Sequence, residues 1–285
     1  MHPTHDQIEV AAYHRWERRA RSHGNHRDDW AAAEKDLVFA LNYRYIARHK
    51  LNGDPVFLGR TEAAGHPRRC RFCDLSEPSA SFEARVLALP PFVGNTALFA
   101  WDECVECRGS SNKHLGPAFE AFARPLLSDS SQPPPGAIPI PAHKALVRMA
   151  LSIMPLAELQ YFGDALEWLA NPYHARDAHL ILGLGCLCYR TPAPIPTPFI
   201  TLARRCFDSA QWPYMLVFLA SGSLVLQTHI PLSSRDEHLE DLQARAPELS
   251  MSIGEGNALR ASQCFFLEAQ RCEDVSSHLQ TASTG

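Results

Sequence analysis

The sequence predicts an α+β fold in three segments: a helical hairpin, a cysteine-centred strand–strand–helix module and a C-terminal α+β segment. Three observations carry this. Apolar residues recur at helical spacing near the N-terminus, two C-x-x-C pairs flank strand-like runs, and strand-like and helical runs mix after a proline-rich stretch. At 285 residues and 46% hydrophobic, the chain is long enough to bury a core of ordinary size.

The elements follow in order. Ile8, Ala12 and Trp16 in "DQIEVAAYHRWERRARSHG" lie on one helical stripe, and Gly24 is a natural stop. A second helix opens near Arg27, with Asp28 and Asp29 suited to its positive end and Trp30, Ala33, Leu37 and Leu41 on one stripe. Residues 1–50 are therefore expected to form the hairpin. Residues 51–126 form the cysteine module, and the Ser/Pro-rich 127–141 reads as a linker. Residues 142–272 form the α+β segment. It begins with helices in "HKALVRMALSIM" and "LAELQYFGDALEWLA", broken at Pro155. Strands follow in "AHLILGLGCLCY" and "PFITLARRC", then a hairpin of "PYMLVFLA" and "LVLQTHIPL" turning at Ser-Gly. Residues 273–285 are polar and read as a flexible tail.

The four cysteines 70, 73, 104 and 107 form two C-x-x-C pairs, each matching a turn in which two thiolates grip one metal ion. Two such pairs complete a closed tetrahedral site, so a structural Zn²⁺ held by Cys70, Cys73, Cys104 and Cys107 is expected. A full set of thiolates leaves no position for a reacting water. Phe82–Leu89 and Ala97–Trp101 read as strands, and Asp102 and Glu103 open a helix carrying Leu115, Phe119 and Phe122. "GLGCLC" at 183–188 lacks the Lys-Ser/Thr ending of a phosphate loop and reads as strand with core cysteines.

"CRFC", "FEARVLALPPFVGN", "ALFAWDECVEC" and "HLGPAFEAF" together resemble a bacterial branch of the HNH endonucleases, the ββα-metal nucleases with paired zinc knuckles. Phe82, Pro90, Gly94, Asn95, Leu115 and Phe119 fall on family positions, and the resemblance spans roughly 65–170. It implies a treble-clef-like ββα fold. In the family, a histidine on the first strand is the general base, an asparagine holds its loop, and a third residue helps bind a catalytic Mg²⁺. This chain departs from that pattern. Leu87 stands three residues before Pro90, where the histidine belongs, and Ala88 does so if the register slips by one. Arg108 follows the second pair, where the family has Asn or His. Asn95 survives, and His114, two helical turns beyond Cys107, is the remaining catalytic candidate. The N-terminal "IEVAAYHRWERRARSHGNHRDDWAAAEKDL" is similar to a short bacterial helical domain of unknown function.

Net charge is −4, and the eight basic and eight acidic residues between 60 and 125 cancel. That excludes a dominant polyanion-binding surface but not a local one. Arg68, Arg69 and Arg71, beside the first pair, are the candidate phosphate contacts. The preferred expectation is a zinc-binding, HNH-like, nucleic-acid-binding protein with weakened or lost phosphodiesterase activity. The alternatives are an active HNH DNA endonuclease using Mg²⁺ or Mn²⁺, and an adaptor binding a protein partner through the N-terminal helices. No apolar run suits a membrane span, and a cytoplasmic location is expected.

Overall fold

The computed structural model describes residues 1–18, 21, 26–60, 65–128, 137–172, 185–191, 193–208, 212–236 and 261–267. The fold is α+β. Helices α1 (His5–Arg18) and α2 (His26–Asn42) form the hairpin, followed by β1 (Tyr43–Lys50) and β2 (Val56–Leu58). The cysteine module adds β3 (Leu98–Ala100), α3 (Val105–His114) and α4 (Gly116–Leu127). Then come β4 (Ala137–Ile138), α5 (Ile140–Ile153), α6 (Leu156–Leu159), α7 (Gly163–Ala170) and strands β5 (Gly185–Arg190), β6 (Phe199–Arg205), β7 (Met215–Ser221), β8 (Leu224–His229) and β9 (Ala261–Leu267).

Seven strands make one sheet in the order β1-β6-β7-β8-β5-β9-β4. It is antiparallel except for the β4–β9 pair. The expected hairpin is β7–β8, turning at Gly222 with φ +55°. The expected break at Pro155 separates α5 from α6. Of "GLGCLC", residues 185–188 lie in β5 with Cys186 and Cys188 buried, while 183–184 lie outside the described residues. The tail, 273–285, also lies outside them, as do 129–136 of the expected linker. The end of that linker is structured: Ala137–Ile138 pairs with β9.

Three elements differ from expectation. Residues 43–50 are strand, not the end of the helical region. Asn42 closes α2, its side chain donating to the Val38 carbonyl at 2.6 Å, and "YRYIARHK" pairs along β6. The buried side of α2 is Asp29, Ala33, Val38 and Asn42, so the helix is turned from the expected tryptophan-bearing stripe. The expected strand 82–89 is reduced to a bridge at Leu87. Only Val86–Ala88 pairs with β3, through Ala88 N–H to Leu98 O (2.9 Å) and Ala100 N–H to Val86 O (2.8 Å). Phe82 is instead drawn against the buried cysteines.

Helix α5 is the spine of the molecule. Twelve of its fourteen residues are buried, because the sheet covers one side and the cysteine module the other. One apolar cluster runs from Leu89, Val93 and Leu98 through Phe119, Phe122 and Leu126 to Leu146 and Ala150, and on to Ile200, Val217 and Leu226. Lys144 is buried too, its ammonium donating to the Trp168 and Asn171 carbonyls at the end of α7.

His143 on α5 is fully buried, with Nε2 3.0 Å from Thr228 Oγ1. Thr228 gives its proton to the Gly185 carbonyl, so the imidazole proton sits on Nε2, and Nδ1 has no partner. Burial first, and nearby His229 second, push the His143 pKa from 6.5 down to about 3. The unfolded chain therefore takes up this proton first on acidification. The stability contribution is whole above pH 6.5 and is lost as pH falls toward 3. Urea unfolding is expected to show a loss of about 2 kcal/mol from this group between pH ~7 and ~5. His143→Gln, which keeps a donor for Thr228, should flatten that slope.

Candidate metal centre and adjoining groove

Cys70 and Cys73 sit in a tight turn closed by Asp74 N–H to Cys70 O (2.8 Å) and Cys70 N–H to Leu75 O (2.8 Å). Asp74 carries the turn in the left-handed region at φ +63°. Cys104 is the N-cap of α3, and its Sγ accepts from the Cys107 N–H at 3.4 Å. The Cys104 N–H is given to Cys70 Sγ, also at 3.4 Å. The four sulfurs lie within 4.8 Å of one another, and Cys73 Sγ is 3.7 Å from Cys104 Sγ. Tetrahedral bonds of about 2.3 Å would set sulfurs about 3.8 Å apart, so the cluster has the dimensions of a four-thiolate metal site. The spacing in the sequence thus brings together all four expected ligands.

The surroundings favour one anionic sulfur, that of Cys70. Hydrogen bonding from the Cys107 thiol leads the effects that lower the Cys70 pKa from 9.0 to about 4. Burial pushes Cys104 up to about 12, and Cys107 rises because its thiol donates to Cys70. One proton set is thus shared among the sulfurs, and a bound cation would displace it. The surrounding apolar cluster is small: Ala80, Phe72 and Phe82 beside the cysteines.

Arg71, inside the first C-x-x-C, fixes the centre to the rest of the fold. Nε (2.9 Å) and Nη2 (2.6 Å) donate to Asp102 Oδ2, and Nη1 donates to the Leu151 and Met154 carbonyls at the end of α5. Gly59 backs this pair: at φ +75°, an added Cβ would lie 2.3 Å from Asp102 Oδ2. Asp102 and Glu103 do not open α3, which begins at Val105. Glu103 is buried and paired with Arg148 of α5. Burial pushes the Glu103 pKa up, and Arg148 pulls it back. Arg148 also donates to the Cys107 carbonyl and lies 3.8 Å over Phe72.

The expected phosphate contacts separate. Arg71 is withdrawn from solvent, with all three of its nitrogens hydrogen-bonded, and is not available to a phosphate. Arg69 is exposed and pairs with Asp74. Arg68 lies half-buried over Trp101.

Asn95 is fully buried and ties down the loop between the paired segments. Its Nδ2 donates to the Leu89 (2.9 Å) and Leu98 (3.1 Å) carbonyls, and Oδ1 accepts the Leu98 N–H at 3.0 Å. Between that loop and α3 runs a groove of about 630 Å³ lined by Glu83, Arg85, Leu87, Arg108, Asn112 and Arg148, among others. Arg108 Nη2 meets Glu83 Oε1 at 2.8 Å, while Arg108 Nη1 is buried with no partner. His114 does not reach this groove. It is exposed at the end of α3 and lines a separate pocket beside Cys73 and Cys107. The helix breaks after it because Gly116 and Pro117 restart the coil as α4. Arg148 and Arg60 go unnoticed in the sequence, where Glu103 reads as a helix opener and Trp101 as the end of a strand; for Trp101 the signal is its place two residues beyond Phe99.

The comparisons reach the N-terminus alone. Residues 3–37 match a family described as a protein of unknown function, DUF2934. That segment covers α1 and most of α2, where Val10 and Tyr13 are exposed. No curated protein and no solved structure matches the chain. No described helix is long and apolar enough to cross a membrane.

Two outcomes are expected. Elemental analysis of the purified protein should give one thiolate-bound metal ion per chain. Cys104→Ser should lose it, with a fall in stability of several kcal/mol that chelation of the parent reproduces. Arg71→Met strands the buried Asp102 carboxylate and should cost about 3–5 kcal/mol in denaturant unfolding.

Proposed function

We propose that this chain is an HNH-endonuclease-like protein whose cysteine centre holds a structural Zn²⁺ and whose groove binds duplex DNA with little or no cleavage. The observation that carries the reading is the make-up of that groove, where Leu87 and Arg108 stand at the positions of a base and a metal-helping residue. The ordering supports the kinship: an antiparallel pair at Val86–Ala88 and Leu98–Ala100, then a cysteine pair opening a helix, with Asn95 pinning the loop.

Hydrolysis by this mechanism needs a proton acceptor and a cation site. Leu87 accepts no proton, and the Arg108 guanidinium repels a cation. Glu83, the nearest carboxylate on that segment, is held by Arg108. Zinc with four thiolates offers no open position, so it supplies rigidity and no nucleophile.

Binding is better provided for. The Glu83 side chain is 57% exposed and that of Arg108 16%, so Glu83 can turn into water while Arg108 stays in the groove. The Nη2 that Glu83 releases, together with Arg85, then faces an incoming phosphate.

Duplex DNA should be shifted in a salt-dependent manner, and supercoiled plasmid should stay intact with added Mg²⁺ or Mn²⁺. The double variant Arg85→Gln/Arg108→Gln should weaken duplex binding about tenfold and lower the slope against log salt by about 1–2. Nicking that is lost in Asn95→Ala or His114→Ala would instead favour an active endonuclease. No shift at low salt would leave the protein-binding adaptor.

A further inference from the structure

The short parallel pair β2–β3 has two unlike faces. Leu58, Leu98 and Ala100 point into the core, while Phe57 and Phe99, opposite one another in register, are only half-buried. Their rings stack at 5.2 Å and 22°. Trp101, two residues on from Phe99, meets Phe57 edge-on at 6.4 Å.

Guanidinium groups alternate with these rings. Arg68 lies 3.4 Å over Trp101 and 5.7 Å from Phe82. Arg60 lies 5.1 Å from Trp101 and 5.5 Å from Phe57, and Arg85 is 5.9 Å from Phe99. The result is a ladder of four aromatic rings and three arginines across one surface. Among the described residues, none of the three arginines is ion-paired to a carboxylate. The one hydrogen bond is from Arg68 to the Glu83 backbone carbonyl, at 3.4 Å.

We infer that this ladder is a binding surface for single-stranded nucleic acid, with unpaired bases stacking on its rings and guanidinium planes and phosphates meeting its charge. The inference goes beyond the groove reading, which concerns duplex DNA, and apart from Arg85, which borders both, it stands on different residues. Two features select this occupant. Three positive charges share one face, and among the described residues none of them is ion-paired to a carboxylate, so the face is complementary to an anion. Its flat groups match a ligand that presents π faces along an anionic backbone. A duplex hides its base faces in its own stack, so unpaired bases are required. A base accepts stacking whatever its identity, so little sequence preference is expected.

The test uses the full-length, metal-loaded protein and fluorescein-labelled strands of roughly 15 nucleotides: mixed-sequence DNA, the same sequence as RNA, an abasic strand of equal charge, and the duplex. Single strands should bind with quenching of tryptophan emission, and the abasic strand should bind about tenfold more weakly. Arg60→Gln is an exposed substitution and should weaken single-strand binding several-fold while leaving metal content and duplex binding unchanged. Trp101→Phe should keep binding and lose most of the quenching. Comparison of the DNA and RNA arms assigns the sugar preference.

Equal binding of abasic and normal strands would overturn the inference. So would duplex binding without single-strand binding, which leaves the groove reading intact. Loss of duplex binding alone, in the single variant Arg108→Gln, would separate the two surfaces and support both. Failure of every strand to bind would overturn both.

Discussion

A single buried guanidinium sets the geometry on which the rest depends. Arg71 sits between two cysteines of the metal centre, grips the carboxylate two residues before a third, and caps the last carbonyls of the central helix. Its side chain is 3% exposed and that of Asp102 8%, so water offers neither group a substitute partner. Buried ion pairs of this kind add little net stability over an apolar core, because desolvation offsets the attraction. What they impose is uniqueness: other placements of the cysteine turn against the end of α5 strand a charge.

That division of labour explains why the cysteine centre and the groove differ in character. The sulfurs have a small apolar neighbourhood and would rely on an ion to hold them together, whereas the groove is framed by elements that other interactions fix. Asn95 satisfies three backbone groups in the loop above it, and the Arg148–Glu103 pair braces the floor. Such a frame keeps its shape whatever occupies position 87.

Much of this was legible in the sequence. The cysteine spacing named all four members of the cluster, and the β7–β8 hairpin and the break at Pro155 were carried by local turn and helix chemistry. The failures share a cause, which is that tertiary partners decided the outcome. Residues 43–50 are strand because β6 offers its edge. Phe82 leaves its strand for the cysteine cluster. The charges of Asp102 and Glu103 look like helix-opening acids until Arg71 and Arg148 arrive from distant positions. Arg71 looked like a phosphate contact because it stands with Arg68 and Arg69 beside the first cysteine pair, and a sequence does not reveal which of three neighbouring arginines faces the interior.

The continuous apolar cluster makes the parts of the molecule depend on one another. Phe119, Phe122 and Leu126 of the cysteine module share their packing with α5, and α5 shares its own with the sheet. Excised between 51 and 128, the module would carry away one half of a seam and leave the other half wet. The segment is therefore not expected to fold once cut out, nor the sheet to stay intact without it.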